Sequence, residues 1–397
     1  MSGMNAGDEI TMRATELVAG GDAIARVDGF PIFTPGVFPD DVAVVRLIDV
    51  KKGFAKAHLV RILEPSPWRR VAPCPVADEC GGCDWTALRL DKQLEAKERI
   101  LTESLRRIGK FDVASLPPIT VHPSPLNYRI RSRLHQDGDA IGFYALRSNR
   151  VVPLPKECEV VGVATAQRYG GPGRSQSANR RPQEDVCDPR SAIRDLSRPL
   201  LDDIWEIDDK LITTGNFSIR VGGYSYQLST ESFFQVNRHL LDTMLQLVTA
   251  HADRVASRDV AIDFYAGVGF FTLPLADRFA RVFAIEGSAE SAKYARRNAP
   301  ANVVVVESPV EQQAAHIPQA DFIFLDPPRA GARQEVVRAV GEKATEMVCY
   351  LSCDPVTFAR DASRLTASGW RISTLDLLDL FPNTHHVETL ASFERAR

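Results

Sequence analysis

The feature that most constrains the fold is the alternation of apolar strand-like segments with helical segments in residues 231–397. Five strand segments follow one another: VAIDFYAG, RVFAIE, NVVVVES, DFIFLDPP and MVCYLSCDP. Continuous β-branched runs separated by helices are typical of a parallel sheet that helices cover on both faces. The pattern predicts a doubly wound, Rossmann-like α/β domain, whose ligands bind at the carboxyl ends of its strands.

The rest of the chain predicts two further units. Residues 1–65 contain short β-branched stretches broken by glycine and proline, which indicates a small β-barrel. Residues 8–64 hold seven Lys and Arg against nine Asp and Glu, so charge alone does not identify an RNA binder there. Residues 66–230 predict a central α+β domain. The 397 residues, of which 44% are hydrophobic, agree with two or three globular domains.

Charge and cysteine content limit the class of protein. A net charge of −3, from 48 basic and 51 acidic residues, does not exclude nucleic-acid binding, which needs only a local basic surface. No apolar run approaches the roughly 18 residues of a membrane span, and Met1 to Met12 lack the pattern of a secretory signal. We therefore expect a cytoplasmic protein with no membrane partner. Seven cysteines without an export signal favour metal binding or catalysis over disulfides.

The central domain contains three local signals. Residues 88–109 have the apolar spacing of an amphipathic helix, and Asp137-Gly138 marks a hairpin turn. Residues 166–200 are rich in Arg, Pro, Gly, Ser and Asp and lack periodicity, so we interpret them as a flexible surface insertion.

Three arginines alternate in the segment YRIRSRLHQ. Arg129, Arg131 and Arg133 would share one face of a strand. Such a row either grips phosphates or forms a solvated edge strand, and the sequence leaves both interpretations open.

The first strand of the α/β domain runs into a glycine loop, AIDFYAGVGFFTLPLA. Gly267 and Gly269 let a ligand approach the backbone, but Thr272 stands where a dinucleotide fingerprint has its third glycine. Glu286 ends the second strand and can accept both hydroxyls of a ribose, whether of NAD or of S-adenosylmethionine. Asp263 at the start of the loop favours S-adenosylmethionine, because an anionic loop suits a sulfonium cation better than a pyrophosphate.

A rigid acidic turn ends the fourth strand in DFIFLDPPRAG. Asp326 lies at the strand tip, and the two prolines after it stiffen the turn. Similar D-P-P-Y turns bind exocyclic amines in N-methyltransferases, which is the rival chemistry. Here Arg329 replaces the aromatic residue that would stack on a flipped adenine.

A thiol just past the fifth strand is the candidate nucleophile. Cys353 follows the strand tip, whereas Cys349 lies inside the apolar run and is interpreted as an inert core thiol. Thiolate addition to C6 of a pyrimidine makes C5 nucleophilic enough to take a methyl group. A base must then remove the C5 proton, and Glu388 in FPNTHHVET is the candidate, with His385 and His386 as positioning residues.

Together these residues resemble the RNA 5-methyluridine (uracil-C5) methyltransferases, in the branch that carries a TRAM domain and an iron–sulfur cluster. The resemblance rests on CGGC followed by Q…K, and on FFQVN, DFYAGVGFFTLPLA, DPPRAG, SCDPVTFARD and DLFPNTHHVE. It implies a class I methyltransferase fold for residues 231–397, a TRAM module (an OB-like barrel) for residues 1–65, and an iron–sulfur site in the central domain. Many relatives have Cys where this chain has Ala266, which leaves the implied nucleophile unaffected.

The resemblance also implies roles for individual residues. Cys353 would be the nucleophile and Glu388 the base. The residues expected to bind S-adenosylmethionine are Gln235, Tyr265, Gly267, Glu286 and Asp326. The residues expected to ligate a [4Fe–4S] cluster are Cys74, Cys80, Cys83 and Cys158. Zinc also fits this cysteine spacing, and Cys187 is a poorer fourth ligand.

The expected function is methylation of C5 of one uridine in structured RNA, with 23S ribosomal RNA favoured over transfer RNA. The base must leave its stack to reach Cys353, and either Phe233 or Phe234 helps to hold it or packs in the core. Two alternatives are an N-methyltransferase that uses the turn after Asp326 and a non-catalytic RNA-binding assembly factor. The expected partner is RNA, with no obligate protein partner and a monomer as the default state.

Overall fold

The structure, a computed structural model, describes residues 4–146, 148–171 and 203–396. The N-terminal residues form a six-stranded sheet that curls so that its first and third strands are in contact. The sheet surrounds a core of small apolar side chains such as Ala25 and Val45. Its strands are β1 (Glu9–Arg13), β2 (Glu16–Leu17), β3 (Ala23–Val27), β4 (Phe30–Thr34), β5 (Val42–Val50) and β6 (Ala55–Glu64).

The central residues contain one long helix, α1 (Leu90–Arg107), and several short strands. Helix α1 confirms the helix expected over residues 88–109, and it buries Ile100, Leu101 and Leu105 on one face. The hairpin expected at Asp137-Gly138 is also present. The other central elements are β7 (Ile119–His122), β8 (Arg131–Ser132), β9 (His135–Asp137), β10 (Ala140–Tyr144), β11 (Val151–Pro153), α2 (Val163–Tyr169), β12 (Ile204–Ile207), β13 (Lys210–Ile212), β14 (Asn216–Val221) and β15 (Tyr224–Ser229).

Helix α2 corrects one end of the expected insertion, because residues 166–169 are helical. Residues 172–200, including Cys187, lie outside the described residues. Within the described ranges, no helix is both long enough and apolar enough to cross a bilayer.

The C-terminal residues build an eight-stranded sheet in the order β18-β17-β16-β19-β20-β22-β21-β7. The five predicted strands are β16 to β20, and they pair in parallel. The elements are α3 (Leu241–Ala252), β16 (Val260–Phe264), α4 (Thr272–Ala276), β17 (Arg281–Glu286), α5 (Ala289–Asn298), β18 (Val303–Glu307), α6 (Val310–Gln313), β19 (Ala320–Leu325), α7 (Gln334–Lys343), β20 (Ala344–Ser352), α8 (Pro355–Ala367), β21 (Trp370–Leu378) and β22 (Glu388–Arg395). The strand order switches sides between β16 and β19, which is where a doubly wound sheet opens a ligand crevice.

Two strands depart from the expected all-parallel sheet. Strand β22 inserts between β20 and β21 and runs antiparallel to both. Strand β7 comes from the central part of the chain and pairs in parallel with β21. The Rossmann-like class is confirmed, but the sheet is mixed, and it takes one strand from outside residues 231–397.

A buried ion pair ties helix α1 to the segment that precedes β22. The Nζ atom of Lys97 is fully buried and donates to Oδ1 of Asp379 at 2.5 Å and to the carbonyl of Phe381 at 3.0 Å. Burial lowers the pKa of Lys97, and the Asp379 carboxylate raises it again. The pair holds residues 379–381 against the helix.

Replacing Lys97 with Met should destabilise the protein by about 3–5 kcal/mol, because Asp379 would remain as a buried charge without its partner. The matched control is Lys51→Met, which removes an exposed partner of Asp49 and should change stability by less than about 1 kcal/mol. Urea unfolding of the two variants and the wild type measures both values. Equal midpoints for Lys97→Met and the wild type would contradict this account.

Candidate active site and cysteine site

The predicted site residues lie along one edge of the sheet. Strand β17 ends with Glu286, strand β19 ends just before Asp326, and strand β20 ends just before Cys353. Because parallel strands point their carboxyl ends to the same edge, these side chains share the crevice at the switch point.

The antiparallel strand β22 adds the fourth group. Ser352, the last residue of β20, is paired in register with Thr389. Cys353 follows Ser352, and Glu388 precedes Thr389. Because the two strands are antiparallel, the thiol and the carboxyl lie side by side at the strand ends. The structure thus brings together the candidate nucleophile and the candidate base, which are 35 positions apart by residue number (388 − 353).

Burial and nearby carboxyl groups raise the pKa of both groups. The pKa of the half-buried Cys353 thiol is raised to about 12, first by burial and then by Glu388 and Asp326. The pKa of Glu388, which is 5% exposed, is raised well above its usual range by burial and by Asp326. The site therefore needs added positive charge before it can ionise.

One cation, Arg329, acts on both groups and lowers the pKa of each. Its Nη2 atom donates to Nε2 of His386 at 3.0 Å. Burial, together with the neighbouring His385 and Arg329, lowers the pKa of His386 to about 3, so the ring is neutral and can accept this bond. In the sequence, Arg329 stood out only because it replaces the aromatic residue of a rival motif, and its place after the rigid Pro-Pro turn was the available signal.

Asp326 is held by the amide of Gln235, whose Nε2 donates to Oδ2 at 2.9 Å. Burial raises the pKa of the Asp326 carboxyl to about 7, and the bond from Gln235 lowers it. A buried carboxyl at the switch point, with a neutral amide beside it, can accept from an amino group of a ligand.

The glycine loop orients Glu286. Its two carboxylate oxygens accept from the backbone N–H groups of Gly267 at 2.8 Å and of Ser288 at 2.7 Å. Gly267 has a φ of 57°, and within the described chain no atom lies within 4 Å of the position that a Cβ there would take. A ligand therefore has room to lie against the loop, with Glu286 free to accept further hydrogen bonds from ribose hydroxyls.

Tyr265 begins the loop in the left-handed region, with a φ of 61°, which is uncommon for a residue with a side chain. Its hydroxyl donates to Oε1 of Glu311 at 3.2 Å. This bond fixes the half-buried ring beside the glycine loop.

Asp263 does not supply the anionic loop that the sequence suggested. It is 1% exposed, and its Oδ2 accepts from the hydroxyl of Thr272 at 2.5 Å. Burial raises its pKa to about 7, so the carboxyl supports the loop from beneath and contributes little free charge.

Four cysteines line one small cavity in the central part of the protein: Cys74, Cys80, Cys83 and Cys158. Burial and the neighbouring thiols raise the pKa of Cys74 to about 11, while the N–H of Val76 opposes the shift. The N–H of Gly82 points to the sulfur of Cys80 at 3.4 Å. Within the described ranges, no set of three or more His, Cys, Asp or Glu side chains is placed to hold a metal ion as it stands.

The arginine row is corrected by the structure. Burial raises the pKa of the Cys80 and Cys83 thiols, and Arg129 opposes part of that rise, whereas Arg131 and Arg133 form ion pairs with Asp203. Because Arg129 lies outside strand β8, the three do not form one row for phosphates.

The two phenylalanines of FFQVN separate clearly. Phe234 is 3% exposed and packs against Tyr226 and Phe270. Phe233 is 62% exposed and borders an open pocket that Arg131 and Arg133 also line. Only Phe233 is placed to stack on a nucleobase.

Comparison with known proteins places these features in a family. The family model described as tRNA (Uracil-5-)-methyltransferase matches residues 207–319 and 313–396, and a TRAM domain model matches residues 6–60. An uncharacterized RNA methyltransferase of Gloeobacter violaceus is 30% identical over 98% of this chain and 97% of its own length. Another, from Corynebacterium efficiens, is 32% identical over 98% of this chain and 95% of its own length.

A solved structure has the same fold over most of its length. It is the Pyrococcus abyssi tRNA (uracil-54, C5)-methyltransferase in complex with S-adenosyl-L-homocysteine, with 23% identity, coverage of 97% of this chain and 100% of that chain, and a TM-score of 0.67. The family-model matches and the similarity to RNA methyltransferases show that the chain belongs to the TRAM-containing RNA uracil-5-methyltransferase family.

Replacing Glu286 with Gln should weaken binding of S-adenosylhomocysteine by about tenfold, since hydrogen bonds to a charged acceptor are worth roughly 1.5–3 kcal/mol. The matched control is Glu307→Gln, because Glu307 is the register partner of Glu286 on β18 and pairs with Arg296. Titration calorimetry measures both affinities. If both variants bind as tightly as the wild type, Glu286 does not contact the ribose.

Proposed function

We propose that this RNA methyltransferase transfers a methyl group from S-adenosylmethionine to C5 of a uridine, through a covalent bond between Cys353 and C6 of the base. The observation that carries the proposal is the pairing of Ser352 with Thr389, which sets the thiol beside Glu388 at the cofactor edge of the sheet. Binding of S-adenosylhomocysteine by the Pyrococcus abyssi enzyme supports the choice of methyl donor.

The proposed reaction consists of thiolate addition, methyl transfer and elimination. The thiolate of Cys353 adds to C6, and the C5=C6 electron pair moves onto C5 and O4. C5 takes up the methyl group of S-adenosylmethionine, whose S–C bond breaks with its electron pair left on sulfur, so that S-adenosylhomocysteine is released. The Glu388 carboxylate then removes the C5 proton, the electron pair re-forms C5=C6, and the thiolate leaves.

The electrostatics of the site explain why a cationic donor suits it. Burial raises the pKa of Cys353, Glu388 and Asp326, and Asp326 raises the first two further; among the described residues, Arg329 is a cation that acts on both Cys353 and Glu388. A sulfonium and an amino group held near Glu286 and Asp326 would favour the charged forms of all three acids. Binding of the donor would therefore increase the fraction of Cys353 that is thiolate.

RNA is the proposed substrate, and 23S ribosomal RNA is favoured over transfer RNA. The TRAM module and the cysteine site support the ribosomal choice, whereas the family description names transfer RNA. The exposed ring of Phe233 beside Arg131 and Arg133 is suited to stack on an unpaired base near phosphates. Incubation with labelled cofactor and each RNA, followed by nucleoside analysis, separates these substrates, and it also separates C5 from N-methylation.

Two variants test the covalent route on whichever RNA accepts the label. Cys353→Ala should lose methylation, because no other group forms the bond to C6. Glu388→Gln should methylate the base yet retain the RNA as a slowly migrating adduct, because the C5 proton stays in place. Denaturing gels and a single-turnover assay measure both results.

Cys349→Ala is the matched control, because Cys349 is a fully buried thiol on the same strand, and it should keep methylation. Turnover by Cys353→Ala would end the covalent mechanism. A Glu388→Gln variant that forms no adduct and methylates at the wild-type rate would remove Glu388 as the base.

The cysteine site is proposed to hold a [4Fe–4S] cluster. The fit rests on four thiols around one cavity, with backbone N–H groups aimed at sulfur and the cation of Arg129 nearby. Four thiolates would ligate the irons, and Arg129 would balance part of their negative charge. The proposed role is structural, because this irregular loop has few apolar side chains of its own.

Protein purified without oxygen should contain roughly four irons per chain and should absorb visible light. Cys83→Ser should lose most of the iron, whereas Cys349→Ala should retain it. Metal analysis gives the answer directly. Zinc in place of iron, or equal iron in both variants, would refute the cluster.

A further inference from the structure

We propose that Asp84 and Glu159, the carboxylates directly after Cys83 and Cys158, couple the cysteine site to the active site by clamping residues 383–386. Asp84 is the positioning residue on which the test depends. The inference rests on the proposed function for its catalytic meaning, but the coupling itself concerns the arrangement of Arg329 beside Cys353.

The first contact joins Asp84 to His385. Oδ2 of Asp84 lies 2.5 Å from Nδ1 of His385, and Oδ1 accepts from the backbone N–H of His385 at 3.1 Å. A carboxylate can only accept, so Nδ1 carries the proton. Two bonds from one carboxylate fix both the backbone and the ring of His385.

The second contact joins Glu159 to Asn383. Oε2 of Glu159 accepts from Nδ2 of Asn383 at 2.9 Å and from Arg70 at 2.9 Å. Asn383 is fully buried, borders the cysteine cavity, and has a φ of 66°, so the turn it forms needs these bonds. Both ends of the segment 383–386 are therefore held by residues that follow cysteine ligands.

The clamped segment delivers its effect through His386. The rings of His385 and His386 lie 4.4 Å apart, and His386 accepts the bond from Arg329. Arg329 in turn acts on Cys353 and Glu388. A shift of His385 would move His386, break its hydrogen bond with Arg329, and displace the segment that leads into Glu388.

The TRAM module closes the same contact from its other side. Gly21 has a φ of 90°, and a Cβ there would lie 2.7 Å from Asp84 and 2.8 Å from His385. The carbonyl of Gly21 also accepts from Nε1 of Trp85 at 3.3 Å. The Asp84 and His385 pair therefore has no room to move toward Gly21.

Alkylation of Cys353 by iodoacetamide, followed peptide by peptide in the full chain, reads the coupling without RNA or cofactor. The charged groups that act on this thiol are Glu388, Asp326 and Arg329. Asp84→Asn should slow alkylation by about tenfold at pH 8 and move the rate profile to higher pH, because the nearby cation is lost. The matched control is Asp78→Asn, an exposed carboxylate in the same loop, which should alkylate at the wild-type rate.

A double-mutant cycle with His385→Asn distinguishes coupling from general damage. If Asp84 acts through His385, the double variant should be no slower than the slower single variant, and all variants should retain iron and S-adenosylhomocysteine binding. Three results would overturn the inference: alkylation of Cys353 at the wild-type rate in Asp84→Asn, rate losses of the two single variants that add in the double variant, or weaker S-adenosylhomocysteine binding in the variants that alkylate slowly. Failure of the wild type to methylate any RNA would instead refute the proposed function, while the alkylation profile still decides the coupling.

Discussion

The active site depends on one strand pairing, that of β20 with the antiparallel strand β22. The parallel strands alone would place Cys353 next to the strand that ends just before Asp326, and Glu388 would be absent from this edge. Because β22 is antiparallel to β20, its first residue, Glu388, lies at the carboxyl end of β20, beside the thiol. A one-residue slip in this register would send Glu388 to the opposite face of the sheet.

Polar contacts, more than apolar packing, fix the segment that leads into β22. Lys97 holds Asp379 and Phe381, Gln93 bonds to both the backbone and the side chain of Asn383, and Asp84 holds His385. Each partner comes from the central part of the chain. A buried polar group that loses its partner costs free energy, so these bonds favour a single conformation of the segment. The position of Glu388 therefore depends on contacts made by the central part of the chain.

The sequence was sufficient for features that rest on local pattern. Strands β16 to β20, helix α1 and the strand-end positions of Glu286, Asp326 and Cys353 follow from apolar periodicity and from the geometry of parallel sheets. Glu388 was selected as the candidate base from the chemistry of C5 methylation, whereas the grouping of the four cysteines was implied by family resemblance. Strand β22 was missed, because its pairing with β20 and β21 depends on contacts that periodicity does not encode. The structure was also needed to show that Asp263 is buried beneath its loop and that Arg131 and Arg133 form ion pairs with Asp203. The partners of a charged residue cannot be read from its position in the sequence.

The pairing of β7 with β21 has a consequence for the order of assembly during synthesis. His122 contacts Asp376 across 254 positions, and Asp84 contacts His385 across 301. Closing such long loops is slow relative to local contacts. Until the ribosome has passed β22, strand β20 remains an apolar edge open to wrong partners, and the thiol has no base. Cys353 and Glu388 therefore come together only after β22 has been synthesised and has paired with β20.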